Sequence, residues 1–156
     1  YSGGGKKMIY QYENEKTMDL EAPRIYGLNQ NHKHLPEIKK VCGLEKDVFL
    51  NPIVCDYYRG MAVSLNVEMD CEKIYLALKD WYKDAKLIQV EKTDSGMISA
   101  NTMAGLDCMK LVVSGNSQRC TITSLFDNLG KGACGAAIQN MNIMLGFKVE
   151  EGLNIE

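Results

Sequence analysis

The sequence lacks the features that mark membrane proteins and proteins that bind nucleic acid through general charge. Its 156 residues contain no apolar run long enough to cross a bilayer and no secretory h-region. The 18 Lys and Arg nearly balance the 20 Asp and Glu, and neither sign forms a block. No general attraction to nucleic acid or to an anionic membrane is therefore predicted, and charge alone indicates no partner class.

C-x-x-C pairs are also missing, although the chain has six cysteines. The cysteines are scattered, at positions 42, 55, 71, 108, 120 and 134. A chain of this length with 46% hydrophobic residues can bury an ordinary core and does not need disulfides for stability. Reduced thiols and a cytoplasmic location are therefore predicted.

Internal repeats and low-complexity tracts are absent as well, so residues 1–156 are predicted to form a single domain. The first residue is Tyr1 rather than a methionine. We therefore expect the chain to be a fragment of a longer protein.

What the sequence does contain is a clear alternation of apolar and polar residues over 61–69, the period of a strand with one buried face. The period becomes helical over 71–83, where Asp70 is the expected N-cap. A short helix is expected to begin near Pro36 and to end at Gly43. Further strands are predicted over 48–54, 86–90, 108–113 and 119–125. An α+β fold follows, with a mostly antiparallel mixed sheet and helices layered on one face.

A polar, glycine-rich turn leads into a helix of small residues near the C-terminus. Asp127 and Asn128 are suitable N-caps, and Gly130 and Gly132 free the backbone. Two interpretations remain open from these residues. Either a ligand such as a phosphate reaches the N–H groups at the helix start, or the thin helix packs against its own sheet.

Both histidines of the chain, His32 and His34, lie two residues apart, just before the short helix. In an extended segment their side chains point the same way, and Glu37 can orient a ring by accepting its N–H. Three interpretations compete: a solvated loop, acid/base chemistry, and a metal site with Cys42 or Cys55 as a third ligand.

These segments resemble the N-acetyl-gamma-glutamyl-phosphate reductases. The run 127–142 is similar to their Asp-Asn-Leu turn, Lys-Gly pair, small-residue helix start and closing Gln-Asn-x-Asn. The run 26–38 is similar to their Tyr-x(5)-His-x-His-x-Pro-Glu-Ile stretch, and 2–7 to a Ser-Gly-Ala-Gly-Arg turn. Arg59 and Gly60 match an Arg-Gly pair before a long strand. The chain departs from the family at Asp107, Cys134 and Ala136.

The resemblance implies a substrate and dimerisation domain like the C-terminal domain of glyceraldehyde-3-phosphate dehydrogenase-type enzymes. It implies a helix over 127–147 that packs toward a dinucleotide-binding domain. His32 is the implied catalytic acid/base. The implied substrate contacts are Arg59, His34, Tyr26 and Glu37. The implied contacts to NADP, which is bound mainly by the other domain, are Asn128, Lys131 and Gly132.

The activity implied is the NADPH-dependent reduction of N-acetyl-gamma-glutamyl phosphate to N-acetylglutamate 5-semialdehyde in arginine biosynthesis, through a cysteine thioester. Its partners are the acyl phosphate, phosphate and further copies of the chain in a homodimer or homotetramer. None of the six cysteines stands in the family's Gly-Cys-aromatic setting, and no G-x-G-x-x-G element is present. The fragment alone is therefore expected to be inactive.

Three alternatives remain at this stage. The chain can act as a non-catalytic binding or oligomerisation module, since it lacks the nucleophile motif. It can be a zinc-binding module at the two histidines. It can also belong to the related acyl-phosphate reductase of lysine synthesis, because one methylene in the substrate is a small difference to infer from residue types.

Overall fold

The structure is a computed structural model that describes residues 2–3 and 6–156. The chain forms two compact units, Tyr1–Asp56 and Tyr57–Glu156. The predicted turn at 2–7 includes residues 4 and 5, which lie outside the described residues. The prediction of a single domain depends on how the two units are joined, and it stays a prediction. No helix in the described ranges is both long enough and apolar enough to span a membrane.

Within its described residues, the first unit contains three short strands and three helices. Strands β1 (Ser2–Gly3) and β2 (Arg24–Ile25) lie on either side of β3 (Ile53–Cys55), with β1 parallel and β2 antiparallel to it. Leu20 and Val54 are among its buried apolar residues. The elements are β1 (Ser2–Gly3), α1 (Lys6–Asn14), α2 (Met18–Glu21), β2 (Arg24–Ile25), α3 (His34–Val41) and β3 (Ile53–Cys55).

The strand predicted over 48–54 is wrong in extent, because β3 begins only at Ile53. Pro52 has no N–H to give to a neighbouring strand. The backbone of Leu50 is occupied by a side chain instead, since its N–H and C=O both bond to the amide of Gln30. Sequence periodicity does not show that the side chain of Gln30, 20 residues earlier in the chain, takes the place of a neighbouring strand at Leu50.

Helix α3 begins at His34, two residues before Pro36, and ends near Gly43 as predicted. Gly43 adopts a φ of 62°, the left-handed conformation that glycine accepts without strain. The N–H of Leu44 then donates to the carbonyl of Lys39 at 3.0 Å, which closes the last turn.

The second unit contains four strands in the order β4 (Met61–Val67), β7 (Cys120–Phe126), β6 (Met109–Gly115) and β5 (Ile88–Lys92). Strand β7 is antiparallel to β4 and β6, and β5 is parallel to β6. The elements are β4 (Met61–Val67), α4 (Cys71–Trp81), β5 (Ile88–Lys92), β6 (Met109–Gly115), β7 (Cys120–Phe126), a π-helical turn (Gly130–Cys134) and α5 (Gly135–Leu145). The predicted α+β class with a mixed sheet is confirmed. The side chain of Asp70 caps α4 as expected, accepting the N–H of Glu72 at 2.8 Å.

Two apolar clusters form the core of this unit. The first contains Cys71, Val113 and Cys120, against which Ile74, Tyr75 and Leu78 pack. The second contains Met103, Cys108, Val112 and Leu125, against which Ala62, Leu106 and Ile155 pack.

The buried face predicted for β4 is wrong in its central part. Val63 and Leu65 are 49% and 59% exposed. Helix α4 packs mainly over β5, β6 and β7, and Val67, at the end of β4, is the residue of this strand that joins the cluster beneath the helix. An alternating sequence predicts which side chains share a face, but not which face a helix covers.

Candidate functional site

Three ring side chains of the first unit meet between β2 and α3. The rings of Tyr26 and His32 have centroids 5.9 Å apart and are inclined at 57°. The rings of His32 and His34 lie 4.8 Å apart in an edge-to-face arrangement. Although His34 is the first residue of α3 and not part of an extended segment, the two imidazoles lie side by side. They can therefore act on the same bound group.

The ring of His32 is oriented by the backbone. The N–H of His34 donates to Nδ1 of His32 at 3.3 Å. A neutral imidazole that accepts at Nδ1 carries its proton on Nε2. Nε2 is therefore the proton-donating atom of this ring.

Glu37 lies near the other histidine. Its Oε2 is 3.9 Å from Nε2 of His34, which is beyond hydrogen-bond distance, and both side chains are more than half exposed. The ring of His32 is thus oriented by the backbone of His34, while Glu37 lies nearer to the ring of His34. The structure places all four predicted residues of this unit, Tyr26, His32, His34 and Glu37, within one short segment.

The segment beside His32 is held by Gln30. The amide of Gln30 accepts the N–H of Leu50 at 3.1 Å and donates to its carbonyl at 3.0 Å. Gln30 has a φ of 53°, an uncommon value for a residue other than glycine. A cavity of about 420 Å³ opens between these segments, with His32, Leu35 and Phe49 among its lining residues. Sequence analysis missed Gln30.

The metal interpretation finds no support in the described part of the chain. No group of three or more His, Cys, Asp or Glu side chains there is arranged to hold a metal ion. Cys42 and Cys55 are free thiols. A zinc site would require such a set of ligands.

The second unit brings Arg59 to Asp127. Met61 pairs with Phe126 in the antiparallel β4–β7 ladder. Arg59, two residues before β4, and Asp127, directly after β7, therefore lie at the same end of the ladder. Nη1 of Arg59 lies 3.3 Å from Oδ2 of Asp127. Nε of Arg59 is buried and has no hydrogen-bond partner among the described residues.

Asp127 is fully buried and accepts several hydrogen bonds. Its Oδ1 receives the N–H groups of Leu129 at 2.8 Å and Gly130 at 3.1 Å, and its Oδ2 receives that of Gly105 at 2.5 Å. Burial by itself raises the pKa of Asp127, but these three N–H donors and Arg59 outweigh it and lower the pKa below its ordinary value. The carboxylate is therefore ionised at neutral pH.

The three residues predicted to contact the cofactor lie in the turn after Asp127. Asn128 does not cap the helix, since its Oδ1 accepts the N–H of Gly60 at 2.8 Å. Lys131 donates to the amide oxygen of Gln139, and burial lowers the pKa of its ammonium. A Cβ on Gly132 would lie 3.3 Å from the ring of Phe126, so this glycine allows a close contact inside the unit.

The small residues of the helix start make room for the chain itself. A Cβ on Gly130 or Gly135 would come within 2.9 or 2.3 Å of Oδ1 of Asp107. The N–H groups of Leu129 and Gly130, moreover, already bind Asp127. Of the two interpretations of this segment, packing within the chain is the one observed, and Asp127 supplies the anion at the helix start.

Asp107 has a structural role that sequence analysis missed. Its Oδ2 accepts the N–H of Asn154 at 3.0 Å, and its own N–H donates to the carbonyl of Asn154 at 2.6 Å. The side-chain amide of Asn154 donates to the carbonyl of Gly105 at 2.9 Å. No local signal predicts these contacts, because they join residues 47 and 49 positions apart.

In fold, the chain is similar to the crystal structure of aspartate semialdehyde dehydrogenase II from Vibrio cholerae. The TM-score is 0.58 at 16% identity, over 81% of this chain and 40% of that chain. A family model described as semialdehyde dehydrogenase, dimerisation domain, matches residues 1–128. The chain therefore belongs to the semialdehyde dehydrogenase family and contains its dimerisation domain.

Several curated proteins with similar sequences are named N-acetyl-gamma-glutamyl-phosphate reductase. The protein from Sinorhizobium medicae is 40% identical over 93% of this chain and 52% of its own length. The reductase 2 from Nostoc sp. is 34% identical over 98% of this chain and 54% of its own length. The chain thus spans about half the length of the curated relatives it matches. The resemblance inferred from the motifs is confirmed by these similarities.

Proposed function

We propose that the chain is the substrate and dimerisation part of an NADPH-dependent reductase of the cytoplasm. The reaction is the conversion of N-acetyl-gamma-glutamyl phosphate to N-acetylglutamate 5-semialdehyde in arginine biosynthesis. The observation that carries the proposal is the orientation of His32, whose Nδ1 accepts the N–H of His34. In the neutral ring this leaves Nε2 as the nitrogen that carries the proton. The names of the relatives from S. medicae and Nostoc support the same reaction.

His32 is the acid/base group in this proposal. Reduction of an acyl group to an aldehyde places negative charge on the carbonyl oxygen, and Nε2–H of His32 is the donor that protonates it. His34 and Tyr26 lie against the same ring and bound the space in which the acyl group sits. Glu37 lies beside His34, with Oε2 3.9 Å from Nε2 of that ring.

Arg59 holds an anionic group of the substrate. A guanidinium presents several N–H donors in one plane, which suits a carboxylate or a phosphate. The Arg59 side chain is 37% exposed as a whole, so an oxyanion can reach the exposed part of its guanidinium. Separate titrations with phosphate and with a carboxylate would show which of the two anions Arg59 binds.

The contacts within the turn limit what it can offer to a cofactor. The N–H groups at the start of the helix are taken by Asp127, so this turn does not offer them to a cofactor phosphate. Lys131 and Gln139 fit the amide end of a nicotinamide instead, because the ammonium has three donors and bonds the Gln139 amide with one of them. NADPH supplies the hydride when bound, and Asn128, Lys131 and Gly132 shape the surface that faces it.

Helix α5 is the proposed contact to the dinucleotide-binding domain. The apolar residues at its C-terminal end are at least half exposed, and they are Met141, Ile143, Met144, Leu145 and Phe147. A contiguous exposed apolar patch is typical of a surface that another domain covers. The family description supports assembly through this chain, and we propose a homodimer or homotetramer.

The test is His32→Asn in the complete protein, assayed by NADP-dependent oxidation of the semialdehyde in the presence of phosphate. General acid/base catalysis contributes on the order of a hundred- to ten-thousand-fold, so turnover should fall by that factor. The matched control is Lys33→Asn, at the neighbouring exposed position. Unchanged turnover in the His32 variant would remove this residue from its role.

The same assay separates the alternatives. Equal activity on the one-carbon-longer acyl phosphate would support the reductase of lysine synthesis. The reading frame upstream of Tyr1 tests the non-catalytic module: a glycine-rich strand-turn-helix and a Gly-Cys motif support the enzyme, whereas a stop codon directly upstream supports the module.

A further inference from the structure

The carboxylate of Asp127 divides its two oxygens between two tasks. Oδ1 accepts the N–H groups of Leu129 and Gly130 and so fixes the turn after β7. Oδ2 accepts the N–H of Gly105 and pairs with Nη1 of Arg59. Because Asp127 is fully buried, it does not itself meet a ligand.

We propose that Asp127 is a positioning residue that acts through Arg59, holding Nη1 so that the remaining guanidinium donors meet an oxyanion of the substrate. The inference rests on the proposed function, in which Arg59 binds that oxyanion. Asp127 thereby links the substrate anion to the turn that carries Asn128 and Lys131, since one carboxylate holds both.

The surroundings of Arg59 support a fixed guanidinium. Its Cζ lies over the ring of Tyr58 at 5.4 Å, which restrains one face. Gly105 has a φ of +87°, a conformation that favours glycine, and in this conformation its N–H donates to Oδ2 of Asp127. Nε remains a buried donor without a partner in the described chain. The side chain as a whole is 37% exposed, so an oxyanion can reach its other guanidinium donors.

The variant Asp127→Asn separates the two tasks. An amide oxygen at the Oδ1 position can still accept from Leu129 and Gly130. The amide NH₂ at the Oδ2 position then faces two donors, Gly105 N–H and Nη1 of Arg59, and cannot bond either. In this orientation of the amide, the guanidinium is released while the turn is kept.

The sign of the effect distinguishes positioning from charge. Removing a carboxylate beside Arg59 removes a competing negative charge, so a purely electrostatic role predicts tighter binding of an anion. A positioning role predicts weaker binding, because the guanidinium must be ordered again each time the anion binds.

The experiment uses the 156-residue chain labelled with ¹⁵N, with inorganic phosphate and N-acetylglutamate as probes in separate titrations. The readout is the Nε–Hε signal of Arg59. We expect one of the probes to shift this signal in the wild type, and Asp127→Asn to weaken that binding roughly tenfold, which corresponds to the constant of 1.4 kcal/mol per decade. The titration in which the Nε–Hε signal shifts identifies the bound anion as phosphate or carboxylate.

Two variants complete the design. Asp107→Asn is the control, since this carboxylate binds Asn154 and not Arg59, and it should leave the affinity unchanged. Arg59→Lys keeps the charge and loses the planar fork, so its binding is followed by the backbone amide signals of Leu129 and Gly130 instead of Nε–Hε. Asp127→Asn added to it should weaken binding no further. A multiplicative loss in the double variant would indicate a general structural effect and would overturn the inference.

A measurement on the wild type covers the case in which Asp127→Asn does not fold. A guanidinium held by Asp127 should show separate Nη1 and Nη2 signals at low temperature without any probe. A single averaged signal, no response of Nε–Hε to either probe, or equal or tighter binding in Asp127→Asn would each contradict the proposal. Because no turnover is measured, an absence of reductase activity in the complete protein would overturn the proposed function without changing this readout.

Discussion

The carboxylate of Asp107 lies directly against the backbone of Gly135, the first residue of α5. A Cβ built on Gly135 would lie 2.3 Å from Oδ1 of Asp107, closer than any non-bonded contact allows. The same carboxylate binds the backbone of Asn154 through its other oxygen. Asp107 therefore contacts both the start of α5 and the C-terminal segment.

Gly135→Ala should destabilise the chain. Overpacking at a closely fitted site costs about 1–3 kcal/mol, whereas alanine gains roughly 1 kcal/mol over glycine in a helix. We therefore expect a net loss in the free energy of unfolding, measured in urea. Gly96→Ala is the control, because no atom lies within 4 Å of its added Cβ. Equal stability of the two variants would show that the Asp107 contact yields without cost.

Asn142 is the second position with a specific expected cost. This residue is 2% exposed, and its amide donates to the carbonyls of Val149 at 3.3 Å and Glu151 at 2.9 Å. Replacement by alanine leaves these acceptors without their donor, at a cost of about 1–3 kcal/mol. Cleavage by a protease within 148–156 should accelerate.

Asn140→Ala is the control for that experiment, since Asn140 belongs to the same motif but is exposed. Its cleavage rate should match that of the wild type. If the two variants were cut at the same rate, Asn142 would have no role in holding the C-terminal segment.

The acid stability of the chain should depend on Asp127. Its pKa is lowered in the folded state, because three N–H donors and Arg59 outweigh the effect of burial. A carboxyl group of this kind contributes stability above its unfolded pKa, and the contribution is lost as the pH falls through the folded pKa. The free energy of unfolding should therefore fall as the pH drops below the ordinary value of 3.8.

The measurement is urea unfolding of the wild type and of Asp127→Asn across that acid range. The variant should be less stable at neutral pH, and the difference between the two proteins should shrink as the pH falls. A difference that stays constant with pH would mean that the charge of Asp127 does not contribute.

The six cysteines should differ sharply in reactivity. Burial, together with the neighbouring Cys71, raises the pKa of Cys120 to about 11, and burial also raises the pKa of Cys108. Cys42 and Cys134 are exposed. Since the thiolate is the reactive form, iodoacetamide at pH 8 should label the two exposed thiols and leave the buried ones unmodified.

Mass spectrometry of the peptides measures this pattern, with a sample unfolded in urea as the control in which all six thiols react. Labelling of Cys120 in the folded protein at the rate of Cys42 would show that the core around β7 opens readily.

Local patterns in the sequence predicted the elements whose partners are close along the chain. Helix α4 follows from the helical period after Asp70, and β6 and β7 follow from apolar runs bounded by turn residues. The paired histidines and the turn after Phe126 were also identified as candidate sites from the sequence. These features depend on spacing along one segment, and spacing is what a sequence displays.

The sequence by itself thus determined the α+β class, α4, the central strands and the residues that merit attention as a site. Tertiary structure alone decided that Leu65 is exposed, that Leu50 bonds to Gln30 instead of a strand, and that Asp127 holds Arg59. The physical reason is that these outcomes depend on groups brought together from distant segments. A buried carboxylate such as Asp127 looks like an ordinary helix cap until the guanidinium and the backbone donors that satisfy it are placed around it.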